Sequence, residues 1–128
     1  MKYLIDTHVL IWYMEDKEDK KLSRILDIIE NPKNKIYISI ASLWEITIKL
    51  NIGKFKPNLD INDFYTFIYK SPIKILNIKE KHLLEYRNLP LLHREPFDRI
   101  LIATAIAENI TFITHDKKNH EYDVKWEW

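Results

Sequence analysis

Four carboxylates, Asp6, Glu45, Asp98 and Asp116, each stand where an apolar run meets a turn or near the start of a helix. Acidic side chains that converge in a fold cannot all stay ionised without a cation, so the set predicts a hard-metal site. Mg²⁺ or Mn²⁺ fits the donors: such ions prefer oxygen ligands, keep several waters, and hold a phosphate oxygen while activating water. The chemistry supported is attack of a metal-bound water on phosphorus, with the metal offsetting charge on the departing oxygen. Neither cysteine nor histidine is needed.

Each acid also has a structural explanation. Asp6 can cap the helix that follows it, and Asp116 can open a turn before Lys117 and Lys118. Glu45 lies three residues after Ser42, the spacing of a capping box, and four before Lys49, the spacing of a surface ion pair. Asp98 falls in the first turn of a helix, where the dipole favours a carboxylate. Taken together the acids argue otherwise, because Glu45 and Asp98 interrupt apolar segments and a buried, unpaired charge is costly.

The elements that must position these acids alternate along the chain. Lys2 to Ile5 reads as a buried strand stopping at Asp6, followed by helical spacing of Val9, Leu10, Tyr13 and Met14. A helix is predicted over Lys20 to Ile29, closed by Asn31-Pro32, then a strand over Ile36 to Ile38. Ile40 to Leu50 forms a largely apolar helix carrying Glu45, with Gly53, the only glycine, at its stop. Ile61 to Tyr69 is a helix, Ile73 to Ile75 a strand, Lys79 to Tyr86 a helix, and Leu89 to Pro96 a loop. Phe97 to Glu108 is a strong, buried helix, followed by strands over Thr111 to Thr114 and Val124 to Trp126. The pattern predicts an α/β fold: one domain over residues 1–128, with a mainly parallel central sheet and helices on both faces. In such sheets ligands bind beyond the carboxyl ends of the strands, where Asp6 and Asp116 fall.

Composition narrows the function. The 20 Lys and Arg nearly cancel the 19 Asp and Glu, so a polyanion must be held locally and not by a broad basic surface. The lack of cysteine excludes disulfides and thiolate metal sites and fits a cytoplasmic location. No leader or membrane-spanning stretch is read, so a soluble, unsecreted protein is expected. One glycine is too few for a phosphate-cradling loop.

Four segments, DTHVLIW (Asp6 to Trp12), SLWEITIKL (Ser42 to Leu50), HREPFDRILIATA (His93 to Ala105) and FITHD (Phe112 to Asp116), resemble the PIN-domain nucleases, and most closely the VapC toxins of toxin–antitoxin modules. The resemblance spans nearly the whole chain. It implies a Mg²⁺- or Mn²⁺-dependent endoribonuclease, blocked by a VapB-type antitoxin and commonly a homodimer. By carry-over, Asp6, Glu45 and Asp98 are the principal metal-binding acids and Asp116 a more peripheral fourth. Thr7 matches a hydroxyl position that orients a carboxylate or a water. His115 departs from the small residue many relatives carry.

Around the acids, His93, Arg94 and Arg99 are candidate contacts to RNA phosphates, with Lys49 and Lys54 extending the track. His8, His115 and His120 match no zinc spacing. Trp12, Tyr13 and Trp44 fall in amphipathic patterns and are expected in the core, whereas Trp126 and Trp128 near the chain end are expected to be less buried. An exposed apolar surface on the first two helices, including Trp12 and Met14, would suit an antitoxin helix. The competing readings are a phospho-receiver-like Mg²⁺-binding domain and a non-catalytic interaction domain. The first lacks the acidic pair after its first strand, and the second leaves the acids unexplained.

Overall fold

The computed structural model describes residues 1–15, 19–55 and 60–128. Among them, five strands form one sheet: β1 (Lys2–Ile5), β2 (Lys35–Ser39), β3 (Ile73–Leu76), β4 (Thr111–Ile113) and β5 (Trp126–Glu127). Six α-helices connect them: α1 (Thr7–Met14), α2 (Lys20–Glu30), α3 (Ile40–Asn51), α4 (Ile61–Lys70), α5 (Glu80–Asn88) and α6 (Pro96–Glu108). The spatial order is β3-β2-β1-β4-β5 and every neighbouring pair is parallel. The strand order reverses beside β1, so the crevice between the ends of β1 and β4 is where an α/β sheet presents its ligand site. This order also differs from the 2-1-3-4-5 order of phospho-receivers, which removes that reading.

The two-residue period of the strands divides the core. Tyr3 and Ile5 of β1 and Ile113 of β4 pack on one face with Val9 and Leu10 of α1, Ile25 of α2, Ile46 of α3 and Phe64 of α4. Leu4 and Phe112 point to the other face, against Leu101, Ile102 and Ala105 of α6. Because α6 is buried on nearly all sides from Arg99 to Ala105, it places its first turn firmly at the carboxyl edge.

Local chemistry explains most boundaries. Gly53, at φ 69°, closes α3 with bonds from Lys54 N to Lys49 O at 2.9 Å and from Gly53 N to Leu50 O at 3.3 Å, a Schellman motif. Asn109, at φ 53°, takes the same left-handed conformation after α6. The cap of α3 is Ser39, whose hydroxyl accepts from Ala41 N, so Ser42 is not the capping-box residue its spacing suggested. A 3₁₀ turn over Lys117–Glu121 was not legible beforehand, and the last strand lies slightly later than expected. Trp44 is 63% exposed and not in the core; it rests edge-on against Phe97 on the outside of α3 and α6. Trp12 and Tyr13 are half-buried at the core margin. Among the described residues, no helix is long and apolar enough to cross a membrane.

Candidate active site

Asp6 follows the last residue of β1 and caps α1: its Oδ1 accepts from His8 N at 2.8 Å and from Val9 N at 3.2 Å. Its Oδ2 accepts from Thr114 Oγ1 at 2.7 Å, across the β1–β4 crevice. The capping and the functional readings therefore coexist in one side chain. Burial pushes the Asp6 carboxyl above its ordinary range, opposed by the Thr114 bond, the two backbone bonds and the His8 charge.

Asp98 lies in the first turn of α6, after Pro96 at the helix start. Its carboxyl is pushed up to about 6, first by burial, then by the negative charge of Asp6, with Glu45 and Asp116 adding to it and Lys118 opposing it. The other three acids singled out in the sequence thus all act on Asp98. Glu45, on the second turn of α3, pairs with Lys49 at 3.4 Å, and Asp116 caps the 3₁₀ turn through Lys118 N at 3.2 Å. The Lys118 ammonium lies 3.5 Å from Asp116 Oδ2 and 4.0 Å from Asp98 Oδ2.

Among the described residues, no three Asp, Glu or His side chains stand close enough to cage an ion by themselves. The donor set fits Mg²⁺ or a similar hard ion, which is held by one or two carboxylates and keeps several waters. It does not offer a histidine zinc site.

The supporting residues are only partly those expected. Thr7 is buried and its hydroxyl donates to Ser42 Oγ at 2.9 Å, tying α1 to the α3 turn that carries Glu45; it makes no bond to Asp6. Thr114 holds the carboxylate instead. Behind it runs a chain of bonds: Asn119 Nδ2 donates to Thr114 Oγ1 at 3.3 Å, and His93 Nε2 donates to Asn119 Oδ1 at 2.9 Å while its Nδ1 accepts from Glu95 N at 3.2 Å. His93 is therefore committed to positioning. Arg99 is 6% exposed, with its guanidinium spent on Pro90 O at 2.9 Å, His93 O at 3.3 Å and Tyr122 Oη at 2.8 Å, and it stacks over Tyr86. It pins the loop before α6 and leaves no face for a phosphate, contrary to the expectation from sequence. Arg94 is exposed, as are Lys54 and Lys118. Thr114, Asn119 and Lys118 were missed, although the hydroxyl two residues before Asp116 in FITHD was a usable signal.

A cleft of about 460 Å³ opens beside the acids, lined by Asp6, His8, Trp12, His115, Asp116 and Lys117. Trp12 and Met14 are half-buried against the core, so α1 does not present the open apolar surface expected of it. Exposed apolar side chains lie elsewhere, including Trp44 on α3 and Leu83 and Leu84 on α5.

The fold is shared with solved toxin–antitoxin structures. VapBC2 from Rickettsia felis, bound to a DNA fragment from its promoter, superimposes with a TM-score of 0.76 at 24% identity, covering 99% of this chain and 98% of that chain. VapBC-1 from nontypeable Haemophilus influenzae gives 0.73 at 21% identity, covering 99% and 97%. FitAcB from Neisseria gonorrhoeae gives 0.69 at 18%, covering 97% and 95%. At these identities the likeness is one of fold. No curated protein matches the sequence. The PIN domain family model matches residues 3–125, and with that match over nearly its whole length the chain belongs to the PIN domain family, a family of nucleases.

Proposed function

We propose that this chain is a divalent-metal-dependent endoribonuclease, the toxin of a type II toxin–antitoxin pair, blocked in the cell by a VapB-type antitoxin and acting as a cytoplasmic homodimer. The observation that carries the reading is the Asp98 carboxyl, raised to about 6 by burial and by three other acids at the switch-point edge of a PIN fold. The solved VapBC complexes support the antitoxin partner by likeness of fold.

One or two of Asp6, Asp98, Glu45 and Asp116 would hold Mg²⁺ or Mn²⁺ directly and the others through its waters. The ion, when bound, supplies charge neutralisation at the scissile phosphate and a water of lowered pKa. The protein supplies order and polarity. Thr114 and the α1 backbone fix both oxygens of Asp6, so this carboxylate needs no reorganisation on binding. Near pH 6 and below, Asp98 would give up a proton on metal binding, and Lys118 lessens the repulsion at its carboxyl in the metal-free protein. Arg94 and Lys117 are the exposed cations left to meet the RNA backbone, with Lys49 shared with Glu45.

The test is incubation of purified protein with cellular RNA in Mg²⁺ or Mn²⁺, with and without chelator, beside Asp98→Asn. Metal-dependent cleavage lost in the variant is expected. Cleavage that persists in the variant would point to a contaminant and remove the mechanism.

A further inference from the structure

The cleft beside Asp6 and Asp116 has further lining that the proposed hydrolysis does not employ. Its lining away from Asp6 and Asp116 is His8, Trp12, His115 and Lys117. The Trp12 ring lies 6.1 Å from His8 and 5.5 Å from His115. Trp128 backs this group, 4.9 Å from His115 and 5.7 Å from Trp12. His8 and His115 are exposed, whereas Trp12 is half-buried against the core. A fixed aromatic floor with two exposed rings at its rim therefore faces the acids across one hollow. Little side-chain freedom remains to be lost when a flat ligand lands there.

The charges of the site favour such a floor. The four acids repel a phosphate chain, Arg99 and His93 are spent inside the protein, and Lys49 and Lys118 are held by the acids. Arg94 and Lys117 remain exposed, and phosphate contacts of this kind position RNA without reading its bases. Unpaired bases offer another handle, since every base has a face that stacks on aromatic rings, and a base inside a duplex does not reach one.

Resting on the nuclease reading above, we propose that His8, Trp12 and His115 form a stacking subsite for one unpaired base of the RNA, that of a nucleotide beside the scissile phosphate, with Lys117 at an adjoining phosphate. The subsite gives the enzyme its preference at one nucleotide position.

The experiment uses the Asp98→Asn protein, in which cutting does not interfere. It is titrated in Mg²⁺ buffer with a short single-stranded RNA oligonucleotide, following tryptophan fluorescence, and then with versions abasic at each position in turn. One abasic position should weaken binding on the order of tenfold. His115→Ala, a change at an exposed residue, should weaken the intact oligonucleotide to a similar degree and abolish the penalty at that position. Trp12→Phe, which keeps a ring, should retain most of the affinity that Trp12→Leu loses. Equal affinity for the intact and all abasic oligonucleotides, or an unchanged affinity in His115→Ala, would overturn the subsite while wild-type cleavage still stood. A wild type that cuts no RNA would remove the nuclease reading, an outcome the cleavage assay reports separately from the titration.

Discussion

The two ends of α6 carry an acid each, and the two are treated in opposite ways. At the helix start, Asp98 is half-buried and its carboxyl is pushed up to about 6, by burial first and then by Asp6, Glu45 and Asp116. At the helix end, Glu108 lies 2.8 Å from Lys81 and 3.7 Å from Lys79, with the buried His82 at 3.6 Å. Its carboxyl is held below the ordinary range, first by the Lys81 bond, against a cost of burial. The helix dipole alone would favour the acid at the start and disfavour the one at the end, by under about 1 kcal/mol. Burial and then neighbouring acids outweigh it at the start, and neighbouring lysines outweigh it at the end. The compensated acid staples α5 to α6, while the uncompensated one is the acid proposed to meet a cation.

That contrast can be broken experimentally. The largest effect expected is on cleavage: Asp98→Asn should lower it by at least about a hundredfold, whereas Glu108→Gln should leave it unchanged. An equal loss in both would mean that the helix acts as a scaffold and not through its first-turn acid. Next, Thr114→Val keeps the shape but frees Asp6 Oδ2, and should cost about ten- to a hundredfold in metal affinity or cleavage.

Stability in chelator gives a smaller effect of opposite sign at the two ends. Asp98 binds its proton more tightly folded than unfolded, so its contribution falls as pH rises from the ordinary carboxylate range through about 6. Asp98→Asn should then be more stable than wild type at neutral pH by about 1–2 kcal/mol, allowing for solvent screening. Glu108, with its carboxyl depressed, contributes stability above the ordinary glutamate value that is lost as pH falls through its folded value. Glu108→Gln should therefore be less stable at neutral pH, by about 1 kcal/mol. Thermal melts across pH check both, and shifts of the same sign would refute the comparison. The smallest effect is that of Lys118→Ala, which removes a cation opposing the rise at Asp98. It should move the Asp98 titration, read by NMR, to higher pH.

Much of this arrangement was legible beforehand, for identifiable reasons. Strand and helix periods in LysTyrLeuIle at the start and in the α6 run fixed the layer order, because burial on both sides demands apolar residues at known spacing. The four acids stood out because they interrupt those runs. What escaped was decided by contacts far apart in the chain. Nothing local to Arg99 says that Tyr86 and Tyr122 will enclose it, since Tyr122 lies 23 residues away. Nothing local to Trp44 says which side of α3 faces water, because Ser42 and Ile46, on the same helix, turn inward instead. Thr114 bonds to a residue 108 positions before it. Pairings of that kind follow from topology, and their partners are not visible in sequence spacing.

Calorimetric titration of the purified protein with Mn²⁺ near pH 6, in buffers of different ionisation enthalpy, asks whether Asp98 and the three acids that repel it share one site for a hard cation. Proton release on binding is expected, fading at pH well above the Asp98 value and largely lost in Asp98→Asn. Binding without proton release near pH 6, or release that Asp98→Asn leaves untouched, would contradict the shared site.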